Sequence, residues 1–136
     1  MHTKLIIFTD GGARGNPGPG GAGAVIKNEK GETVKTISKF LGHSTNNQAE
    51  YQAMILALEE AKKLGGEELN CYSDSELMVN QLNRVYKVKD KDLAPLFLKV
   101  WNLSLNFNKI KYHHVFRENN KEADRLMNEA LDREGV

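Results

Sequence analysis

The sequence predicts an α/β fold: a five-stranded mixed sheet in the spatial order 3-2-1-4-5, with helices on both faces. Three observations carry this. Strand-like segments fill the first third of the chain before any helical period begins. Two later apolar strands, at 69–74 and 110–116, alternate with helical stripes, as parallel strands with helical crossovers must. An acid closes both the first strand (Asp10) and the fourth (Asp74), which places charge where ligands of open α/β sheets lie.

Residues 5–8 form a continuous apolar run, expected of a central strand covered on both faces. Asp10 ends that run at the edge of the core, where a charge is costly unless paired or bound to a cation. Seven of the twelve glycines lie between Gly11 and Gly23, and the stretch is expected to be a long turn joining two strands. It contains GxGxxG at Gly18, Gly20 and Gly23, but Ala24-Val25-Ile26-Lys27 continues as a strand. A dinucleotide-binding turn would have to open a helix, so that reading is rejected. Asn28-Glu29-Lys30-Gly31 reads as a hairpin turn into a third strand at 32–41.

Thr45 and Gln48 make a capping box for the first helix. Ala49, Ala53, Met54, Ala57, Leu58, Ala61 and Leu64 form its apolar stripe, and Glu50 shares that face. After Gly65-Gly66, Asp74 precedes a short helix at 75–82; taken alone it would be that helix's N-cap. Cys71 reads as core. A short basic connection at 84–91 leads to a helix from Leu93 to about Asn106. Leu93, Leu96, Phe97, Val100 and Trp101 share one face of it, so Trp101 is expected in the core. His113 and His114 point to opposite faces of the last strand and are assigned packing and hydrogen bonding. Asn119 and Glu122 suggest a second capping box. Asp124 sits at the edge of the closing helix's stripe, formed by Ala123, Leu126, Met127, Ala130 and Leu131.

Asp10, Glu50, Asp74 and Asp124 therefore all point inward, Asp10 and Asp74 at strand ends and Glu50 and Asp124 on helix starts. Four carboxylates held together raise one another's pKa, and the arrangement is stable mainly around cations. All-oxygen donors select hard ions such as Mg²⁺ or Mn²⁺, and metal-assisted phosphoryl transfer is the natural chemistry. No Ser-His-Asp set is readable, and Cys71 has no evident base.

The whole chain bounds the rest. Its 136 residues, 40% hydrophobic and 27% charged, suit one globular domain over 1–136. A net charge of +1 gives no argument for nucleic-acid binding from bulk charge. One cysteine permits no internal disulfide, and no stretch has the length of a membrane span. A cytoplasmic monomer without membrane partners is expected.

The motifs Thr9-Asp10-Gly11-Gly12, Asn16-Pro17-Gly18-Pro19-Gly20-Gly21, Thr45-Asn46-Asn47-Gln48-Ala49-Glu50, Ser73-Asp74-Ser75 and Asn119-Asn120-Lys121-Glu122-Ala123-Asp124, in this order and spacing, resemble type 1 ribonuclease H nearly end to end. The resemblance implies a ribonuclease H-like fold and an endonuclease, a hydrolase of the RNA strand of RNA–DNA hybrids that leaves 5′-phosphate and 3′-hydroxyl ends. It implies two metal ions, Mg²⁺ or Mn²⁺, bridged by Asp10. Asp124 would hold the ion on the attacking-water side, and Glu50 and Asp74 the ion on the leaving-group side. Gly11, Gly12 and Ser75 would meet the RNA sugars, while Asn16, Thr45, Asn46 and Asn47 would meet the DNA strand and its phosphate.

Three departures stand out. The loop before Asp124 reads Arg117-Glu118-Asn119-Asn120 and lacks the histidine many members carry, which makes Glu118 or Arg117 a candidate for proton handling. The basic protrusion is cut to 84–91 and no separate hybrid-binding domain is expected ahead of Met1, so weaker binding is expected. Glu76 stands where a glutamine is common. Two other readings stay open: a non-catalytic nucleic-acid-binding module on the same fold, and a broader nuclease that also cuts double-stranded RNA.

Overall fold

A computed structural model describes residues 3–136. The expectation about what precedes Met1 lies outside the described residues. Strands β1 (Lys4–Ala13), β2 (Gly18–Lys27) and β3 (Thr33–Ser44) precede α1 (Asn46–Lys63), β4 (Glu68–Ser73) and α2 (Glu76–Leu82). Then come α3 (Ala94–Ser104), β5 (Lys109–His114), a single 3₁₀ turn (Arg117–Asn119) and α4 (Lys121–Arg133). The sheet order is β3-β2-β1-β4-β5, as expected. β1 pairs antiparallel with β2 and parallel with β4, and it runs four residues past the point where β4 ends beside Thr9.

The core lies between the sheet and α1, α2 and α3. Leu5, Ile7, Leu69 and Cys71 on the sheet meet Met54, Leu58, Met78 and Val100. α4 covers the opposite face, where Ser38 Oγ donates to the Leu126 carbonyl at 2.6 Å. α4 packs on β1, β2 and β3. Ile6 and Phe8 on its side of β1 are therefore half-buried, and the strand alternates instead of being covered on both faces. Phe8, Tyr72 and His113 stack there, with centroids 4.9 and 4.8 Å apart.

The glycine-rich stretch is not a long turn. β1 runs to Ala13 and β2 starts at Gly18, leaving a turn of four residues. Most of these glycines lie in strands, and helix backbone rests on three of them, Gly11, Gly21 and Gly23. A Cβ on Gly11 would lie 2.2 Å from the Ala49 carbonyl of α1, and one on Gly23 2.2 Å from the Ala123 oxygen of α4.

The capping box at Thr45 is present: its hydroxyl accepts from Gln48 N at 3.1 Å, and Gln48 Oε1 accepts from Thr45 N at 2.9 Å. α1 is buried more widely than its stripe, since Tyr51 and Ile55 are also buried. The Tyr51 hydroxyl donates to Gln81 Oε1 at 2.6 Å, and Gln81 is itself buried. Tyr51→Phe is expected to cost about 1–3 kcal/mol in urea unfolding, because it leaves a buried amide oxygen unpaired.

Three other expectations are corrected. Ser75, not Asp74, caps α2, accepting from Met78 N at 3.2 Å. The Asn119–Glu122 capping box does not form: a 3₁₀ turn intervenes, Asn120 is the N-cap, and its side chain donates instead to the Thr9 carbonyl at 2.8 Å. Trp101 is 40% exposed, with the Arg84 guanidinium 5.0 Å over its ring. Of the expected α3 face, Leu93 and Val100 are buried while Leu96 and Phe97 are half-buried, so the stripe is wider than the surface α3 covers. Among the described residues no helix is long and apolar enough to cross a membrane.

Candidate active site

The parallel register of β1 and β4 sets the site. Thr9 lies opposite Ser73, so Asp10, still within β1, and Asp74, just past the end of β4, stand side by side. The second turn of α1 brings Glu50 to the same place, and the first turn of α4 brings Asp124. Asp10, Glu50 and Asp74 each offer one oxygen, and those oxygens lie within 4.8 Å of one another. Asp124 lies outside that triad and borders the same cavity. All four line a cavity of about 540 Å³.

Burial and like charge both resist ionisation here. Asp10 is pushed up to about 8, chiefly by burial and then by Asp74 and Asp124, against a hydrogen bond from Gly11. Burial, with Asp10 and Asp74, holds Glu50 well above the usual carboxylate range. One backbone donor opposes this: Gly11 N–H donates to Glu50 Oε1 at 2.8 Å. A close set of mutually repelling carboxylate oxygens, poor in compensating donors, has the donor chemistry of a hard divalent cation site and fits Mg²⁺ or Mn²⁺.

The other singled-out residues fall at varied distances from these acids. Gly12 lines the cavity. Asn46 also lines it, and its Oδ1 accepts from Ala13 N at 2.8 Å. Asn16 Oδ1 accepts from Asn46 N at 3.1 Å, so the two asparagines tie the β1–β2 turn to the start of α1. Thr45 and Ser75 are half-buried caps, and Asn47 is exposed in the first turn of α1. Glu76 is exposed in the first turn of α2. Glu118 is exposed in the 3₁₀ turn, and it is Arg117 that lines the cavity, with Nη2 3.9 Å from Asp124 Oδ1. His113 hydrogen-bonds with Asn70 Oδ1 at 2.9 Å. His114 departs from its expected packing role: it is exposed, lines the cavity, and meets the Phe116 ring edge-on at 5.6 Å.

Sequence reasoning missed Arg14 and Asn128, which also line the cavity. The signal for Asn128 was present, since it stands one helical turn after Asp124. Arg14 carried none, because its partners come from the far end of the chain.

A family model described as "Reverse transcriptase-like" matches residues 8–130. A "Bifunctional protein Rv2228c" of Mycobacterium tuberculosis is 45% identical over 130 residues, which is 95% of this chain but 36% of that protein. The chain thus spans about a third of the mycobacterial relatives it matches. A "Ribonuclease H" of Chlorobium phaeobacteroides is 33% identical over 147 residues, covering 96% of this chain and 97% of the relative. The solved structure of LC11-RNase H1 in complex with RNA/DNA hybrid superposes with a TM-score of 0.93 at 44% identity, covering 97% of this chain and 99% of that one.

Proposed function

This chain belongs to the type 1 ribonuclease H family, and from that premise we propose that it is a divalent-metal-dependent endonuclease that hydrolyses the RNA strand of RNA–DNA hybrids, leaving 5′-phosphate and 3′-hydroxyl ends. The observation that carries the reading is the convergence of Asp10, Glu50 and Asp74, from three separate elements, within 4.8 Å. A purely binding module has no use for such mutually repelling acids. The relative LC11-RNase H1, solved with an RNA/DNA hybrid, supports the substrate class.

Asp10, Glu50, Asp74 and Asp124 would hold Mg²⁺ or Mn²⁺, two ions in the active complex. Bound there, such ions supply charge stabilisation at the phosphate and a more acidic water. The chain's own residues arrange the rest. Asp10 neighbours Glu50 and Asp74 and lines the same cavity as Asp124, so it would hold the ions together with all three. Gly11 N–H fixes one oxygen of Glu50 by a hydrogen bond of 2.8 Å. The Thr45 cap closes the first turn of α1, just ahead of Glu50. Gly11, Gly12 and Ser75 border the acids where a 2′-hydroxyl would distinguish RNA from DNA. Asn16, Thr45, Asn46 and Asn47 form the rim proposed to meet the DNA strand.

Matched RNA–DNA, RNA–RNA and DNA–DNA duplexes, incubated with Mg²⁺ or with Mn²⁺, test the reading. The RNA strand of the hybrid is expected to be cut to 5′-phosphate fragments, and the DNA duplex to stay whole. An intact hybrid under both ions would reject the proposal.

Glu118 is proposed to assist proton handling in place of the loop histidine. Glu118→Gln is expected to lower turnover severalfold and leave residual activity. A hybrid-cleavage rate equal to that of the unaltered chain would remove it from the mechanism.

A further inference from the structure

We propose that Arg14 and Asn128 form a relay that holds the Asp124 carboxylate at the cavity, which makes both of them positioning residues for the reaction; the proposal rests on the ribonuclease H reading above. Asp124 stands apart from the close triad of acids and is only half-buried. Two groups compete for it. Arg117, whose side chain is 80% exposed, approaches its Oδ1 to 3.9 Å. From α4 itself, Asn128 Nδ2 donates to the same Oδ1 at 3.3 Å and to the Asp124 carbonyl at 3.0 Å.

An asparagine amide can present either its oxygen or its nitrogen, so something must choose. Here Arg14 chooses. Its Nη2 donates to Asn128 Oδ1 at 3.3 Å. A guanidinium has only donors, so it accepts the oxygen end alone and leaves the NH₂ end facing Asp124. Arg14 is itself fixed, by Asp132 Oδ1 at 2.8 Å from Nη2 and by the Val136 carbonyl at Nη1. Arg14 sits in the turn that follows β1, the strand carrying Asp10. The relay therefore runs from just beyond Asp10 to the helix carrying Asp124, and it sets the separation of two acids that otherwise repel. Asn120 braces the same pair from the other end of α4 through the Thr9 carbonyl.

The test compares the unaltered chain with Arg14→Ala, Asn128→Ala, the double variant and Asn128→Asp. Hybrid turnover and KM are measured, together with Mn²⁺ binding in the absence of nucleic acid, followed by the paramagnetic resonance of the free ion. Each alanine variant is expected to lose about tenfold in kcat, the low end for outer partners of metal ligands. KM for the hybrid should hold, and the Mn²⁺ midpoint should move to higher concentration. The double variant should be no worse than the poorer single one, because both break one relay. Asn128→Asp separates positioning from mere structure. An acid there still pairs with Arg14, yet it has no donor for Asp124 and sets a like charge beside it, so kcat should fall at least as far as with alanine. The proposal is overturned if either alanine variant keeps both its kcat and its Mn²⁺ midpoint, if the two losses multiply, or if Asn128→Asp turns over normally. Should the unaltered chain leave the hybrid intact, the ribonuclease H reading falls by itself, and the Mn²⁺ midpoints alone decide the relay.

Discussion

Asp10→Asn is expected to lower hybrid cleavage by roughly 1000-fold, equivalent to about 4 kcal/mol of lost transition-state stabilisation, and at the same time to stabilise the metal-free protein at alkaline pH. The two effects have one cause. Asp10 is buried and faces Asp74 and Asp124, and its carboxyl is pushed up to about 8. The unfolded chain releases that proton at the ordinary value of 3.8. Between those two values the native state binds more protons than the unfolded state. Stability of the metal-free protein therefore falls as pH rises through the window and levels off above about 8. A group that binds one more proton in the native state changes stability by at most about 1.4 kcal/mol for each tenfold change in proton concentration. Such a slope is measurable by urea unfolding at a series of pH values on either side of neutrality. Asparagine has nothing to ionise, so the variant should show a shallower slope and a higher midpoint on the alkaline side. Adding Mg²⁺ or Mn²⁺ should raise the midpoint of the unaltered chain and do much less for the variant. A variant that cleaves normally, or one less stable than the unaltered chain in alkaline buffer without metal, would contradict this account.

Gly23→Ala is expected to be among the most damaging single methyl groups that can be added to the sheet. The new Cβ would sit 2.2 Å from the Ala123 oxygen, 2.6 Å from Met127 N and 3.1 Å from Leu126 Cβ. The first two are backbone atoms of α4, so no side chain can turn aside and the helix must lift. Overpacking of a core commonly costs about 1–3 kcal/mol, and a clash with rigid backbone belongs at or above the top of that range. α4 carries Asp124 and Asn128, so cleavage should fall together with stability. Gly12→Ala is the control for stability. Its Cβ would meet Met127 Cε at 3.2 Å, the far end of a flexible side chain, and the cost should stay under about 1 kcal/mol. Denaturant midpoints at constant slope decide the matter; equal midpoints for the two variants would mean that the helix does not rest on β2.

These two positions also show how much the sequence could reveal. Asp10 is legible because it closes an apolar run, a local pattern, and three more acids recur at comparable places, although β1 itself continues past it to Ala13. The strand order is legible for the same reason, since crossover helices force the last strands to be parallel. Gly23 is not legible as a helix rest. Its neighbours in sequence suggest a turn, while the Ala123 backbone that requires it is a hundred residues away. Trp101 failed similarly. Periodicity put it on the apolar face of α3, but only the packed structure shows how far the neighbouring elements extend over that face. The capping box at Thr45 formed and the one at Asn119 did not, though both satisfied the same spacing. Asn119 closes a 3₁₀ turn instead, and the N-cap falls to Asn120, whose side chain donates to the Thr9 carbonyl of β1.

The sequence by itself determined the set of elements, their order in the sheet and the identity of the acids, because hydrophobic period and element ends are written in neighbouring residues. Only the tertiary structure decided how closely those acids approach, which helix face is covered, and which way the Asn128 amide points. Each of these depends on an atom contributed from a distant part of the chain, and a local pattern carries no information about where that atom will stand.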